Sequence, residues 1–98
     1  MAKLHNPHPG ETIREELEER AMTAYQLAKG SGIDETALSQ ILRGKRRVTA
    51  RTALRLGAFF GTSAEFWLNL QTAYDLEEER RRFPAPAAEV EADTLVVA

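Results

Sequence analysis

Between Thr23 and Gly44 the chain has room for two short helices and a tight turn, and for little else. Thr23 and Gln26 have the spacing of a capping box, in which each side chain satisfies an amide left open at a helix start. The helix they open must end at Gly30-Ser31-Gly32. Asp34 then caps a second helix whose apolar face is Leu38, Ile41 and Leu42, and Gly44 stops it. Two helices about four residues apart, joined through a glycine, have the spacing of a helix-turn-helix. Ala28 falls where the helices cross closely and a small side chain is needed. Gly32 stands in the turn, where a positive φ suits glycine best. With Leu38 and Ile41 turned inward, Glu35, Thr36, Ser39, Gln40 and Arg43 lie on the outer face. That is the face a major groove would receive, so these five are the candidate base contacts.

An unrelated helical hairpin would have the same spacing, and charge argues against it. Net charge is only −2. Yet Lys29 to Arg55 holds seven bases (Lys29, Arg43, Lys45, Arg46, Arg47, Arg51, Arg55) against two acids, Asp34 and Glu35. The flanks are acidic, at Glu11 to Glu19, Asp75 to Glu79 and Glu89 to Asp93. A basic run directly behind a recognition helix sits where a phosphate backbone passes. The phosphate-contact candidates are Lys45, Arg46 and Arg47 of that run, together with Gln26 at the start of the preceding helix. Among the base-contact candidates Gln40 stands first, because one amide can bond adenine in two places. Glu35 either accepts from a cytosine amino group or complements the helix dipole.

The remaining punctuation predicts an all-α domain of five helices over residues 10–82, between an arm at 1–9 and a Pro/Ala/Glu-rich tail at 83–98. The first helix is expected at about Gly10 to Ala21, with Ile13, Leu17 and Ala21 on one face. Thr49 caps a fourth, about Ala50 to Phe60, stopped by Gly61. Ser63 caps a fifth, about Ala64 to Arg82, closed by Pro84 and Pro86. On the fifth helix Phe66, Leu70, Ala73 and Tyr74 share a face, with Trp67 and Leu68 off it. A helix apolar on more than one side calls for more than its own small core. Phe66, Trp67, Leu70 and Tyr74 are accordingly the expected homodimer contact. Asn69 and Gln71 are read as structural hydrogen-bonding or solvent-facing residues.

Catalysis finds no foothold. With no cysteine there are neither disulfides nor thiolate metal sites. The two histidines, His5 and His8, fall on the proline-rich arm without a third ligand, and are read as part of a flexible segment rather than a metal site. No glycine-rich phosphate loop is present, and the glutamates lie on amphipathic helices. No cofactor is expected. No apolar stretch nears the roughly 18 residues that span a bilayer, and the expected location is cytoplasmic.

Several segments resemble one family closely: Asn6-Pro-His-Pro-Gly-Glu11, Gln26-Leu-Ala28, Ser39-Gln-Ile-Leu-Arg-Gly-Lys45, Thr49-Ala50, Ala53-Leu-Arg-Leu56, Gly61-Thr-Ser-Ala-Glu-Phe-Trp-Leu-Asn-Leu-Gln71 and Ala73-Tyr-Asp75. They are similar to HigA-family antitoxins, also labelled VapI or plasmid-maintenance antidote proteins, of the phage-repressor-like helix-turn-helix class. The likeness covers roughly residues 5 to 76, and its specific part is the Phe66-to-Gln71 block. It implies a dimer on operator DNA that represses its own operon, and a HigB-like partner, a ribosome-dependent mRNA-cleaving ribonuclease. A solitary regulator without a toxin, or an interaction bundle that does not bind DNA, would share most of these residues. Two departures stand out. Ala24 replaces a glutamine that often binds phosphate, and Ser31 replaces an apolar residue before the turn, which predicts looser packing there. A toxin that approaches a polyanion should present a basic surface, so Glu11, Glu15, Glu18 and Glu19 are the candidate toxin face. The acidic tail at Glu89, Glu91 and Asp93, with its Leu95-Val96-Val97 tip, is the rival.

Overall fold

The computed structural model describes residues 6–83; His5 and the tail from Pro84, including its candidate toxin-binding segment, lie outside the described residues. Five α-helices follow one another: α1 Pro9–Glu19, α2 Ala24–Ser31, α3 Glu35–Leu42, α4 Ala50–Phe60 and α5 Ala64–Arg82. Among the described residues there is no strand. The caps form as the residues dictate. Thr23 Oγ1 accepts from the Gln26 amide at 3.1 Å while Gln26 Oε1 accepts from the Thr23 amide at 2.8 Å. Asp34, Thr49 and Ser63 accept from Ala37, Thr52 and Phe66.

The beginning and end of α1 depart from the expected Gly10-to-Ala21 span. His8 is no part of a flexible arm: it caps α1, and its Nδ1 accepts from the Gly10 amide at 3.0 Å. Pro9 takes the first helical position, where a missing N–H costs nothing. At the other end the chain turns at Ala21 with φ 53°, and Met22 N–H reaches back to Leu17 O at 2.9 Å. This is a Schellman stop made without glycine, at a cost of about 1–2 kcal/mol for the left-handed alanine.

Every helix contributes to one core. Ile13, Leu27, Ile41, Ala53, Leu56 and Trp67 have no exposed surface, and Leu38 and Val48 have almost none. The packing between α4 and α5 is the most extensive, and α3 is clasped between α1 and α2. Trp67 anchors that junction: it meets the ring of Phe60 at 5.7 Å, and its Nε1–H donates to Thr62 Oγ1 at 2.8 Å. Trp67 is therefore withdrawn from the expected dimer contact, because a side chain with no exposed surface has none to offer a second subunit. Gln71 is the other surprise in α5. It is buried, and its Oε1 accepts from the Val48 amide at 2.6 Å while its Nε2 donates to Asp75 at 3.0 Å. A buried amide N–H left without this partner would cost about 1–3 kcal/mol. The structural role read for Gln71 holds.

Candidate nucleic-acid interface

The turn between α2 and α3 is fixed from three sides. Gly32 takes φ 80°, as its place required. Arg55 of α4 donates from Nη1 to the Gly32 carbonyl at 3.0 Å. Ser31 Oγ accepts from the Ile33 amide at 3.2 Å, so the serine that looked like a packing loss closes a hydrogen bond across the turn. Arg55, counted in the basic run, is thus occupied in holding the turn. With Leu38 and Ile41 buried beneath it, α3 presents Glu35, Thr36, Ser39 and Arg43 to solvent and Gln40 half-exposed.

The basic loop behind α3 divides into paired and unpaired cations. Arg46 donates from Nε to Gln40 Oε1 at 2.8 Å. The contact turns the Gln40 amide while leaving its NH2 and one oxygen lone pair available. Arg47 pairs with Asp75 of α5 at 2.6 Å. Among the described residues, the side chains of Arg14, Arg43 and Lys45 have no hydrogen-bonding or ionic partner. Gln26 has its amide oxygen committed to the α2 cap, with its NH2 left over.

A surface groove of about 430 Å³ runs beside the outer face of α3. Arg14, Ala24, Tyr25, Glu35, Ser39 and Arg43 are among its lining residues. It brings Arg14 of α1 and Tyr25 of α2 to the edge of the face read from α3. Sequence reasoning missed both. Arg14 follows the buried Ile13 and so points outward, but only the crossing of α1 over α3 shows which way. Tyr25 is exposed, with the Lys29 ammonium 5.3 Å from its ring centroid.

The acids of α1 divide likewise. Glu15, Glu18 and Glu19 are exposed, and Glu16 pairs with Arg20 at 3.1 Å. Glu11 stands apart, its Oε2 accepting from the His8 amide at 3.4 Å in the α1 cap. Of the remaining candidate dimer residues, Phe66 is 43% exposed, while Leu70 and Tyr74 are half-buried. Tyr74 packs edge-on against the His8 ring at 5.0 Å. No group of three metal-ligating side chains forms among the described residues, and no described helix is long and apolar enough to cross a membrane.

Two short helices locked across a glycine turn, with three further helices covering one side, define a helix-turn-helix protein, and the family model described as Helix-turn-helix matches residues 13–67. The chain is 49% identical to an addiction module antidote protein of the HigA family from Coxiella burnetii, with a TM-score of 0.76 over 81% of this chain and 87% of that one. It is 37% identical to the Pseudomonas aeruginosa antitoxin HigA solved with the higBA promoter, with a TM-score of 0.76 over 80% and 86% of the two chains. It is also 48% identical over 71 residues to Virulence-associated protein I of Dichelobacter nodosus, covering 71% of this chain. The chain spans 66% of the length of that last protein. The chain belongs to the HigA family of helix-turn-helix antitoxins.

Proposed function

We propose that this chain is an operator-binding antitoxin that represses its own operon and neutralises a HigB-like ribonuclease. The observation that carries the DNA reading is the outer face of α3, polar throughout and bordered by the unpaired cations Arg14, Arg43 and Lys45. Three cations gathered on one surface, against the single acid Glu35, favour a polyanion that releases its counterions on contact. Thr36, Ser39 and Gln40 read bases, with Glu35 and Arg43 at the two ends of the face. Lys45, Arg46, Gln26 and Arg47 approach phosphates, and Arg14 is added to them. Arg46 also orients Gln40, and Arg47 can reach DNA only by sharing its charge with Asp75.

The relative solved with its promoter supports this assignment, since its fold superposes on most of this chain. A symmetric dimer through α5 would place two recognition helices about 34 Å apart, one turn of DNA. Phe66 and Leu70 remain as the contact, with the half-buried Tyr74 beside them. Light scattering at micromolar concentration should then return about twice 11.0 kDa, and a strict monomer would remove the dimer from the reading.

The test of the face is a fluorescence-anisotropy titration with a duplex taken from immediately upstream of this chain's gene. Gln40→Ala should lose about 1–3 kcal/mol of binding and discriminate less between sequences. Lys45→Ala and Arg14→Ala should weaken specific and random duplexes alike, each lowering the salt slope by about one unit. If Gln40→Ala binds both duplexes as the native chain does, the recognition face is misassigned.

The toxin is assigned to the exposed acids Glu15, Glu18 and Glu19, because they have no ionic partner among the described residues and are adjacent at helical spacing. Glu11, held in the cap, contributes less. The Glu15→Lys, Glu19→Lys double variant should lose salt-dependent capture of a small basic protein encoded beside this gene. Unchanged capture and unchanged salt dependence would move the site elsewhere. The lack of any such neighbour would leave a solitary regulator.

A further inference from the structure

Two neighbouring residues of the basic loop are tied to α5. The Val48 amide donates to Oε1 of the buried Gln71 at 2.6 Å, and the Arg47 guanidinium pairs with Asp75 Oδ2 at 2.6 Å. Gln71 and Asp75 are joined in turn, Gln71 Nε2 donating to Asp75 Oδ1 at 3.0 Å. One carboxylate therefore serves two partners, a neutral amide on the core side and a cation on the loop side.

The two partners ask for different chemistry. With Oε1 given to Val48, Gln71 must turn its NH2 towards an acceptor. A carbonyl oxygen at position 75 would satisfy it, and asparagine carries one. What aspartate adds is charge, and among the described residues Arg47 is the cation paired with it. That pair does little for the fold. The Arg47 side chain is 62% exposed, and ion pairs so open to water contribute little to stability. Its effect falls on the surface that the loop presents. Lys45 has no acid partner, and Arg46 bonds a neutral amide and keeps its full charge. Of the loop cations Lys45, Arg46 and Arg47, only Arg47 is cancelled by an acid among the described residues.

We propose that Asp75 sets the strength of DNA binding by positioning Arg47 beside the phosphate backbone with its charge cancelled, which withholds one cation per chain from the polyanion. The inference rests on the DNA-binding reading given above. DNA exchanges its counterions for positive charge, and an arginine already paired with a carboxylate displaces fewer of them. The loss is spread over all sequences, since phosphate contacts carry no sequence information. Base selection stays with α3.

The sign of the effect separates this role from a structural one. Damage to the loop weakens binding, whereas release of Arg47 strengthens it. The experiment uses the full-length native chain, Asp75→Asn, Arg47→Ala and the double variant. Each is titrated against the upstream duplex and a scrambled one, from about 50 to 200 mM salt. A pH of about 8 keeps histidine charge out of the comparison. Asp75→Asn should keep the native thermal midpoint. It should bind both duplexes more tightly, by about fivefold or more at the lowest salt, with a salt slope steeper by about one unit per bound chain. Arg47→Ala leaves the Asp75 charge uncovered and should weaken binding to both. The double variant removes the pair without changing net charge, and should recover most of what Arg47→Ala loses. An Asp75→Asn chain that binds as the native one does, or more weakly, overturns the proposal. So does a double variant as weak as Arg47→Ala. A large fall in the Asp75→Asn thermal midpoint also overturns it, because the charge would then be holding the fold. A native chain that binds neither duplex is a different failure, because it overturns the DNA reading itself.

Discussion

Replacing Trp67 by alanine should lower the stability of the protein by about 3–5 kcal/mol. The indole is wholly buried between α4 and α5. It lies 5.7 Å from the Phe60 ring and 5.0 Å from the Phe66 ring, the latter edge-on. Truncation removes the burial of the largest core side chain and both ring contacts. It also leaves Thr62 Oγ1 without its donor. A small single domain is stabilised by only about 5–15 kcal/mol in total, so the loss takes a large share. Denaturant titration at one fixed protein concentration measures it, as a lower midpoint at an unchanged slope. Phe66→Ala in the same helical turn is the control. Its ring is 43% exposed, and the free subunit should lose far less. A Trp67→Ala variant within about 1 kcal/mol of the native chain would show that the α4–α5 junction is held by something else.

Gly10→Ala should be nearly as damaging, for the opposite reason. A Cβ at Gly10 would lie 2.1 Å from the Ile41 carbonyl oxygen, 3.0 Å from its carbon and 3.1 Å from Leu42 Cα. All three atoms are backbone, so no side chain can rotate away, and α1 must lift off the end of α3. Overpacking costs about 1–3 kcal/mol where a core can adjust, and this site falls at or above the top of that range. The gain in helix propensity, at most about 1 kcal/mol, does not offset it. Gly30→Ala is the comparison. Its Cβ would meet only the Phe59 ring, at 2.5 Å, and a ring can swing. Denaturation should rank Gly10→Ala well below Gly30→Ala, and Gly10→Ala should also weaken DNA binding, because α3 carries the face. A Gly10→Ala chain as stable as the native one would contradict the close crossing of α1 and α3.

The helices were legible in the sequence because their boundaries are written in single residues. Thr23, Asp34, Thr49 and Ser63 cap four of them, and Gly32 and Gly61 end two. Most of the misses share a physical origin: a side chain whose role comes from a distant partner. His8 between two prolines reads as part of an arm, and only its bond to the Gly10 amide and the packing of Tyr74 on its ring make it a buried cap. Ala21 closes α1 in a conformation for which glycine would be the signal. In α5 the buried positions are Trp67 and Gln71, four residues apart. Because Gln71 is polar, the apolar pattern instead selects Phe66, Leu70 and Tyr74. The amide is there to receive the Val48 N–H, 23 residues away in sequence. The outer face of α3 was legible because it follows from helical periodicity alone. Arg14 and Tyr25 were not, because their place beside α3 depends on how α1 and α2 cross it.

The central claim is that the α3 face selects a DNA sequence. Its most direct test compares the affinity of the native chain for the duplex upstream of its own gene with its affinity for a scrambled duplex of the same composition, at one salt concentration. A face that reads bases should prefer the upstream duplex by about 10³-fold or more. Equal affinity for the two duplexes would mean that the cations alone bind, and that no side chain of α3 reads the sequence.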